Sequence, residues 1–553
     1  MCIRDSYGNG LAIFNPALIS SASSASPFPG FTWHKLDSSL PLSGNNSKAL
    51  FYEPRVGFAF DALGNGKTVV RGGWGEYRSH DAYGDADNAA NVTQNQQSVN
   101  LGGGGLTLAG VSALNLATLA ATGTNTYAAG TATTPTHMGT LGGAPGAVYG
   151  LTAGDNQQPL TDTYSFTINQ ALPHHMNALL GYVGGNSRFL MNDGSNQTVA
   201  LDNVNAIPIG GLYRPDPNVQ SPCYGMVLTP TGISPSGATC NSTTAGVGTA
   251  QINDYRPLNT PLVQYGSLQV PKHVLTANYN GIQAGITKQT GRILFNVNYT
   301  FSKALGILGA QSNGEPANPF DQQANYGPEG FDRSQILNAS YTFEVGNPVH
   351  QKVLAQFTNG WEVSGITNLQ SGADITSTLS NPGFSLSGNI GNQYLDAAHT
   401  IANPNYITIN STVYLGTPDV SLQTTVKCNL RSNLARNQFI NGNCLGTPNL
   451  LQNGPYQYQY LHAPAYFDTD LSAQKSFNFA HEQAVVLRVS AFNFVNHALT
   501  TFTGDFPNEY SLNATSTAGT TFSQGVADPA LGFGTAAYKQ GRRVVELMLK
   551  YNF

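Results

Sequence analysis

Several stretches of this sequence carry residue types that could do chemistry. Gly64-Asn65-Gly66-Lys67-Thr68 has the closing residues of a phosphate-binding loop, whose backbone N–H groups cradle phosphates while a lysine reaches them. Gly102 to Gly105 is a run of glycine, of the kind that lets a backbone approach a dinucleotide. His174-His175 and His481-Glu482 pair groups that bind metals or move protons. Asp81, Asp85, Asp87 and Asn88 set hard oxygen ligands at spacings that suit Ca²⁺. With Cys2 set aside, Cys223, Cys240, Cys428 and Cys444 form two near pairs, able to hold zinc as thiolates or to bridge as disulfides.

Each constellation lacks a part. A phosphate loop needs a glycine where Asp61 stands, and a helix where Val69 to Tyr77 follows; a tight hairpin turn fits better. The four glycines have no strand-to-helix setting. His174-His175 sits at a turn with no carboxylate in register, and His481-Glu482 lacks the second histidine of a zinc-protease helix. No GxSxG nucleophile elbow occurs. The Asp81 to Asn88 group reads first as a solvated acidic loop, with a Ca²⁺ site as the alternative. The cysteines have no CxxC spacing or nearby histidine pair. Their even count in Gly/Asn/Pro-rich stretches suits two loop disulfides in an oxidising compartment. Of three connectivities, short loop closure favours Cys223–Cys240 with Cys428–Cys444. The expectation is a non-enzyme with no cofactor and no metal site.

The elements that hold these residues are strands. Charged residues make up 10% of the chain, against roughly 25% in soluble domains, so its surface is covered in another way. Gly, Ser, Thr, Asn and Gln suit a wet lumen and exposed loops; 26 Tyr and 26 Phe suit lipid interfaces. A net charge of -5 argues against a nucleic-acid partner. No apolar run is long enough for a transmembrane helix. Period-two alternation instead marks five hairpins, over residues 51–78, 161–190, 278–303, 332–372 and 467–496, with a last strand from Arg542 to Phe553. Val56, Phe58 and Phe60 share one strand face, and Asn296, Asn298 and Glu546 are expected on the opposite, polar face of the sheet. Each of these eleven strands has the ~10 residues that a tilted membrane strand needs. Between hairpins lie segments of roughly 80, 85, 30, 95 and 45 residues, far beyond ordinary connections. Short turns at one rim and long loops at the other predict an all-β fold, an antiparallel transmembrane β-barrel. A secreted adhesin or sandwich shares the composition but mixes loop lengths at both ends.

The terminal strand sets Val545, Leu547, Leu549, Tyr551 and Phe553 on one face and Glu546, Met548, Lys550 and Asn552 on the other. Apolar outside, polar inside and ending on Phe, it looks like the signal read by the outer-membrane insertion machinery. PRVGFAFDALGNGKTVVRGGWGEYR, TYSFTINQALPHHMNALLGYVGGNSRFL, NYTFSKA and GWEVSGITNLQSG resemble the barrel repeats of Oar-like TonB-dependent transporters, in that family's order, over most of residues 53–553. The resemblance implies a barrel of about 22 strands, of which eleven would be the C-terminal half. It also implies a plug and a TonB-contacting segment that this sequence does not contain. Residues 1–6, MCIRDS, read as the translation of a sequencing adapter, residues 7–50 as the end of a preceding loop or strand, and residues 51–553 as barrel. FDR at Phe331 to Arg333 belongs to the family-like stretch, with Arg333 expected on the lumen side. By resemblance, the chain takes up a siderophore, oligosaccharide or similar ligand across the outer membrane of a Gram-negative bacterium. Its partners would be membrane lipid, the TonB complex, the insertion machinery and an unidentified ligand. An Oar-like surface protein acting in adhesion, signalling or protein export is the alternative.

Overall fold

A computed structural model of the chain describes residues 13–20, 51–79, 151–192, 271–307, 320–373, 425–446, 461–479, 483–501 and 538–552 without a break, with shorter stretches between them. Eleven strands dominate: β1 Arg55–Asp61, β2 Thr68–Arg78, β3 Leu160–Leu172, β4 Met176–Asn192, β5 Lys272–Lys288, β6 Ile293–Gly306, β7 Gln335–Glu344, β8 Trp361–Gln370, β9 Tyr466–Asn478, β10 Ala484–Phe492 and β11 Val544–Asn552. A seven-residue helix, α1 (Lys352–Thr358), lies between β7 and β8. In the main sheet every strand pairs with its sequence neighbours, antiparallel and without crossovers. A short strand, Gly327–Pro328, adds to β6. This is the expected meander.

The tight turns follow from residues that accept a left-handed backbone. Gly64 and Gly66 take φ of 65° and 70°, and the Asp61 carboxylate accepts the N–H of Gly66 at 2.6 Å and of Leu63 at 3.3 Å. The GNGKT stretch is thus the β1–β2 turn. His174 and His175 take φ of 62° and 58° in the β3–β4 turn, a conformation uncommon for residues with a Cβ.

Register sorts the side chains onto two faces. Val56, Trp74, Tyr164, Gly184 and Asn280 are successive partners across β1 to β5. Phe58, Phe60, Phe166, Leu180, Ile282 and Phe301 extend that face, and Val363, Leu487, Leu547 and Leu549 continue it to β11. Leu547 and Leu549 are 73% and 72% exposed, as suits an apolar face turned to lipid. The other face carries Ser, Thr, Asn and Gln. A wall one strand thick has no protein interior. Accordingly, most fully buried apolar residues that the structure describes lie outside the strands of the wall, among them Ile13, Ile207, Tyr255 and Leu430. Small sheets gather several of them at the long-loop rim. One joins Ile13–Phe14 to Phe31–Thr32 and Leu151–Thr152; another joins Leu268–Val270 to Val148–Tyr149 and Asp202–Asn203.

β1 leads into a tight turn, and β11 returns from the long-loop rim after β10 has left the short-turn rim. Both therefore run toward the short-turn rim. Among the described residues, neither has a partner on its outer edge.

Candidate functional site

The polar face is the candidate site. Alternation along each strand, multiplied across the register, turns single polar residues into continuous rows. Asn298, Asn338, Asn368 and Asp468 are successive partners from β6 to β9. One level nearer the short-turn rim run Asn296, Ser340, Ile366 and Asp470; the next level runs Thr342, Ser364, Ser472, Ser490 and Glu546. Asn296 and Glu546 stand in these rows and Asn298 in the first, as alternation predicts. A cavity of about 670 Å³ lies against this face, with lining residues on β5 to β10, so the sheet curves around it.

The rows are tied by hydrogen bonds between side chains. Arg488 donates through Nε to Ser472 Oγ at 3.0 Å and Ser490 Oγ at 3.1 Å. Gln474 Nε2 donates to Glu362 Oε1 at 3.0 Å. Asn296 Oδ1 accepts from Thr287 Oγ1 and Asn298 Nδ2, both at 3.0 Å. Such a wall offers hydroxyls and amides in number with few charges. It can exchange hydrogen bonds with a hydroxyl- or amide-rich solute.

The opposite face carries aromatics toward both rims. Near the long loops, the Tyr164 and Tyr182 rings stack at 6.0 Å, and both hydroxyls donate to Asn280 Oδ1, at 2.9 and 2.8 Å. Trp74 pairs with Tyr164. Near the short turns stand Tyr341, Phe343, Trp361, Phe477 and Tyr551. Aromatic girdles bounding an apolar band are the signature of a wall in lipid.

At the long-loop rim, charged residues pin distant segments together. Arg256 forks onto Asp419 at 2.9 and 3.1 Å and also donates to the Asn205 carbonyl. Asp419 accepts the Ile207 N–H at 2.8 Å. Asp155 Oδ2 takes the His273 N–H at 3.0 Å and stands 3.1 Å from its Nδ1, fastening residues near 155 to the start of β5. Sequence reasoning missed both pairs. Their partners lie 163 and 118 residues apart, and no local pattern marks them.

The residues singled out from sequence fall as follows. Cys428 and Cys444 are disulfide-bonded, with Cα atoms 4.8 Å apart. Cys223, Cys240, Asp81, Asp85, Asp87, Asn88, Gly102 to Gly105, His481, Glu482 and Phe553 lie outside the described residues. Val545, Leu547, Leu549 and Tyr551 share the apolar face of β11. Arg333 is turned into its own loop, donating to the carbonyls of Gly330 and Asp332 at 3.3 and 2.8 Å. Its neighbour Asp332 accepts the buried Ala304 N–H at 2.7 Å. The FDR stretch therefore works as a fastening above β6 and β7.

Residues 4–536 match the model of a family described as "Outer membrane beta barrel domain". No curated protein matches the chain. Among solved structures, the outer membrane transporter YddB from Escherichia coli is similar at 9% identity, with 85% of this chain covered, 39% of that one, and a TM-score of 0.33. The siderophore receptor PirA from Acinetobacter baumannii is similar at 10% identity, with coverages of 91% and 41% and a TM-score of 0.33. The FrpB iron transporter from Neisseria meningitidis (F5-1 variant, apoprotein form) is similar at 7% identity, with coverages of 81% and 35% and a TM-score of 0.30. The chain thus spans 35% to 41% of the length of these three structures.

Proposed function

The chain belongs to the outer membrane β-barrel domain family, and from that membership we propose that its polar face lines the lumen of a barrel that takes a ligand across the membrane without chemical change. The protein is an outer-membrane protein of a Gram-negative bacterium, and its strands form an antiparallel β wall. The observation that carries the transport reading is the pair of opposed faces: exposed apolar residues such as Leu547 outside, and hydrogen-bonded rows around Arg488 inside a cavity of about 670 Å³.

Further parts of the proposal rest on the resemblance of the barrel repeats to Oar-like TonB-dependent transporters. The eleven strands are about half of the barrel; a plug fills the lumen; TonB pulls on that plug from the periplasm. The parallel sense of β1 and β11 supports the half-barrel part. Antiparallel closure between strands that run the same way takes an odd number of further strands, and eleven more would bring the total to about 22. The apolar row Val545, Leu547, Leu549, Tyr551 and Phe553 serves the insertion machinery. Cys223 and Cys240 form a second loop disulfide. The ligand is an oligosaccharide, siderophore or similar solute, and the uncharged hydroxyl- and amide-rich wall favours one that is itself rich in hydroxyls.

The test is uptake by cells that carry or lack the gene. Labelled oligosaccharides and ferric siderophores are offered with and without a protonophore that stops TonB. The expected result is accumulation of one class that needs both the gene and the proton gradient. If deletion abolishes surface attachment or protein export and leaves uptake of every solute unchanged, the transport reading is wrong and the adhesin or export reading takes its place.

A further inference from the structure

The connection from β7 to β8, residues 345–360, stands among tight turns at the short-turn rim and yet contains α1. Two hydrogen bonds fix the side of the sheet on which it lies. Trp361 and Lys475 are register partners, so they share a face, and the register places that face with Leu487 and Leu549, the apolar outward one. Trp361 Nε1 donates to the carbonyl of Phe357 at 2.7 Å, and Lys475 Nζ donates to that of Asn359. Both acceptors belong to the C-terminal end of α1. That end of the helix therefore folds over the outside of the wall, away from the lumen. Lys475, a cation on the lipid-facing side, is only 5% exposed, and the Asn359 carbonyl gives its ammonium a partner. A lysine on the lipid face is otherwise costly.

The rest of α1 is left facing outward with an apolar surface. Val353, Leu354 and Phe357 stand at i, i+1 and i+4, within one side of a helix, and are 69%, 50% and 65% exposed. Their surface continues the apolar band of the wall through Trp361. Short turns face the periplasm in barrels of this type.

We propose that α1 is an in-plane membrane anchor. It lies at the inner-leaflet boundary of the outer membrane, with Val353, Leu354 and Phe357 among the upper acyl carbons and Trp361 at the interface. The occupant of this surface is phospholipid, because the surface continues one already turned to lipid. Apolar side chains of a short interfacial helix gain from shallow burial while its polar side stays wet. The inference rests on the membrane location and not on the transport reading.

The experiment uses the full-length protein folded into vesicles of phosphatidylethanolamine and phosphatidylglycerol, part of whose acyl chains carry bromine. Phe357→Trp adds one tryptophan, and the parent protein supplies the background of the others. The added emission should be blue-shifted and lost when bromine lies near the headgroups. It should be lost less when bromine lies at the chain ends, and spared by aqueous iodide. Quenching by iodide with none by bromine would place α1 in water and overturn the proposal. Shielding from both would mean that another protein segment covers it, and would overturn the proposal equally. Heat-modifiable gel mobility checks folding. If Phe357→Trp does not fold, Val353→Trp gives the same readout on the same side of the helix.

Discussion

Gly184 has no space for a side chain, because a Cβ there would overlap the Tyr164 ring that lies over it; Gly72 is covered by Phe58 in the same way, and Gly365 by Tyr341 together with Leu471. An aromatic on the neighbouring strand fills the gap that each glycine leaves in the outward face. We expect Gly184→Leu to push the Tyr164 ring aside and lower stability by about 1–3 kcal/mol, as overpacking does. Adding Tyr164→Ala should restore part of the loss, and urea unfolding in detergent micelles reads both. Equal losses with and without Tyr164→Ala would show that the ring is not the obstacle. At the rim, burial would raise the Asp155 carboxyl pKa. The hydrogen bond and charge of the His273 ring, with N–H groups of His273 and Gln157, outweigh burial and hold it below the ordinary range. A carboxylate with a lowered folded pKa adds stability that is complete above its unfolded value of about 3.9 and is lost as pH falls through the lowered one. Hydrogen exchange at residues 151–157 and 272–275 should therefore accelerate in that acid window. Asp155→Asn should show the faster exchange already at neutral pH. An unchanged rate in Asp155→Asn would mean that the pair does not fasten this segment. Alternation was enough to place Asn296 and Glu546 on the polar face. It could not say which ring covers Gly184 or which acid meets His273, since those depend on register and on loops far away in sequence.

The strands were legible because membrane walls leave a simple mark: one face meets lipid and the other water, so period two survives along each strand. The tight turns were legible for a different reason, since Gly64-Asn65-Gly66 suits the left-handed backbone that a hairpin needs. Two things escaped. β5 begins at Lys272, ahead of the expected start, through irregular register between His273 and Ala277 that interrupts the alternation. The seven residues of α1 are too few to display a helical period, so the connection from Glu344 to Trp361 read as a turn. The strand β11 offers the cleanest test at this scale. Leu547 faces outward and Glu546 faces the lumen side, one residue apart on the same backbone. Arginine on the lipid face of a barrel costs roughly 2–4 kcal/mol at the bilayer midplane and much less near the interfaces. We expect Leu547→Arg to reduce the amount of protein assembled in the outer membrane strongly, and Glu546→Gln to leave it near the parent level. Membrane fractionation with heat-modifiable gel mobility reads assembly directly, and equal behaviour of the two variants would contradict the assignment of faces.

The whole molecule poses the problem of its two edges. β1 and β11 each present a row of backbone N–H and C=O groups with no partner among the described residues, and in hydrocarbon each unsatisfied group costs several kcal/mol. Water can satisfy such an edge; lipid cannot. Direct pairing of β1 with β11 would remove both edges, but the strands run the same way, so that seam would be parallel in a sheet that is antiparallel elsewhere. Two copies joined edge to edge would meet the same difficulty at two seams. The physical expectation is that these 553 residues, refolded alone in detergent, form the curved sheet without closing it. On an unheated gel they should run at the unfolded position, and protease should cut within the wall strands as well as in the long loops. Supplying an odd number of antiparallel strands, as the half-barrel proposal requires, should restore a compact band that shifts on heating. A compact, heat-modifiable and protease-resistant band from this chain alone would show that eleven strands close without help. The half-barrel proposal would then be wrong, although the division into a lipid face and a lumen face would stand.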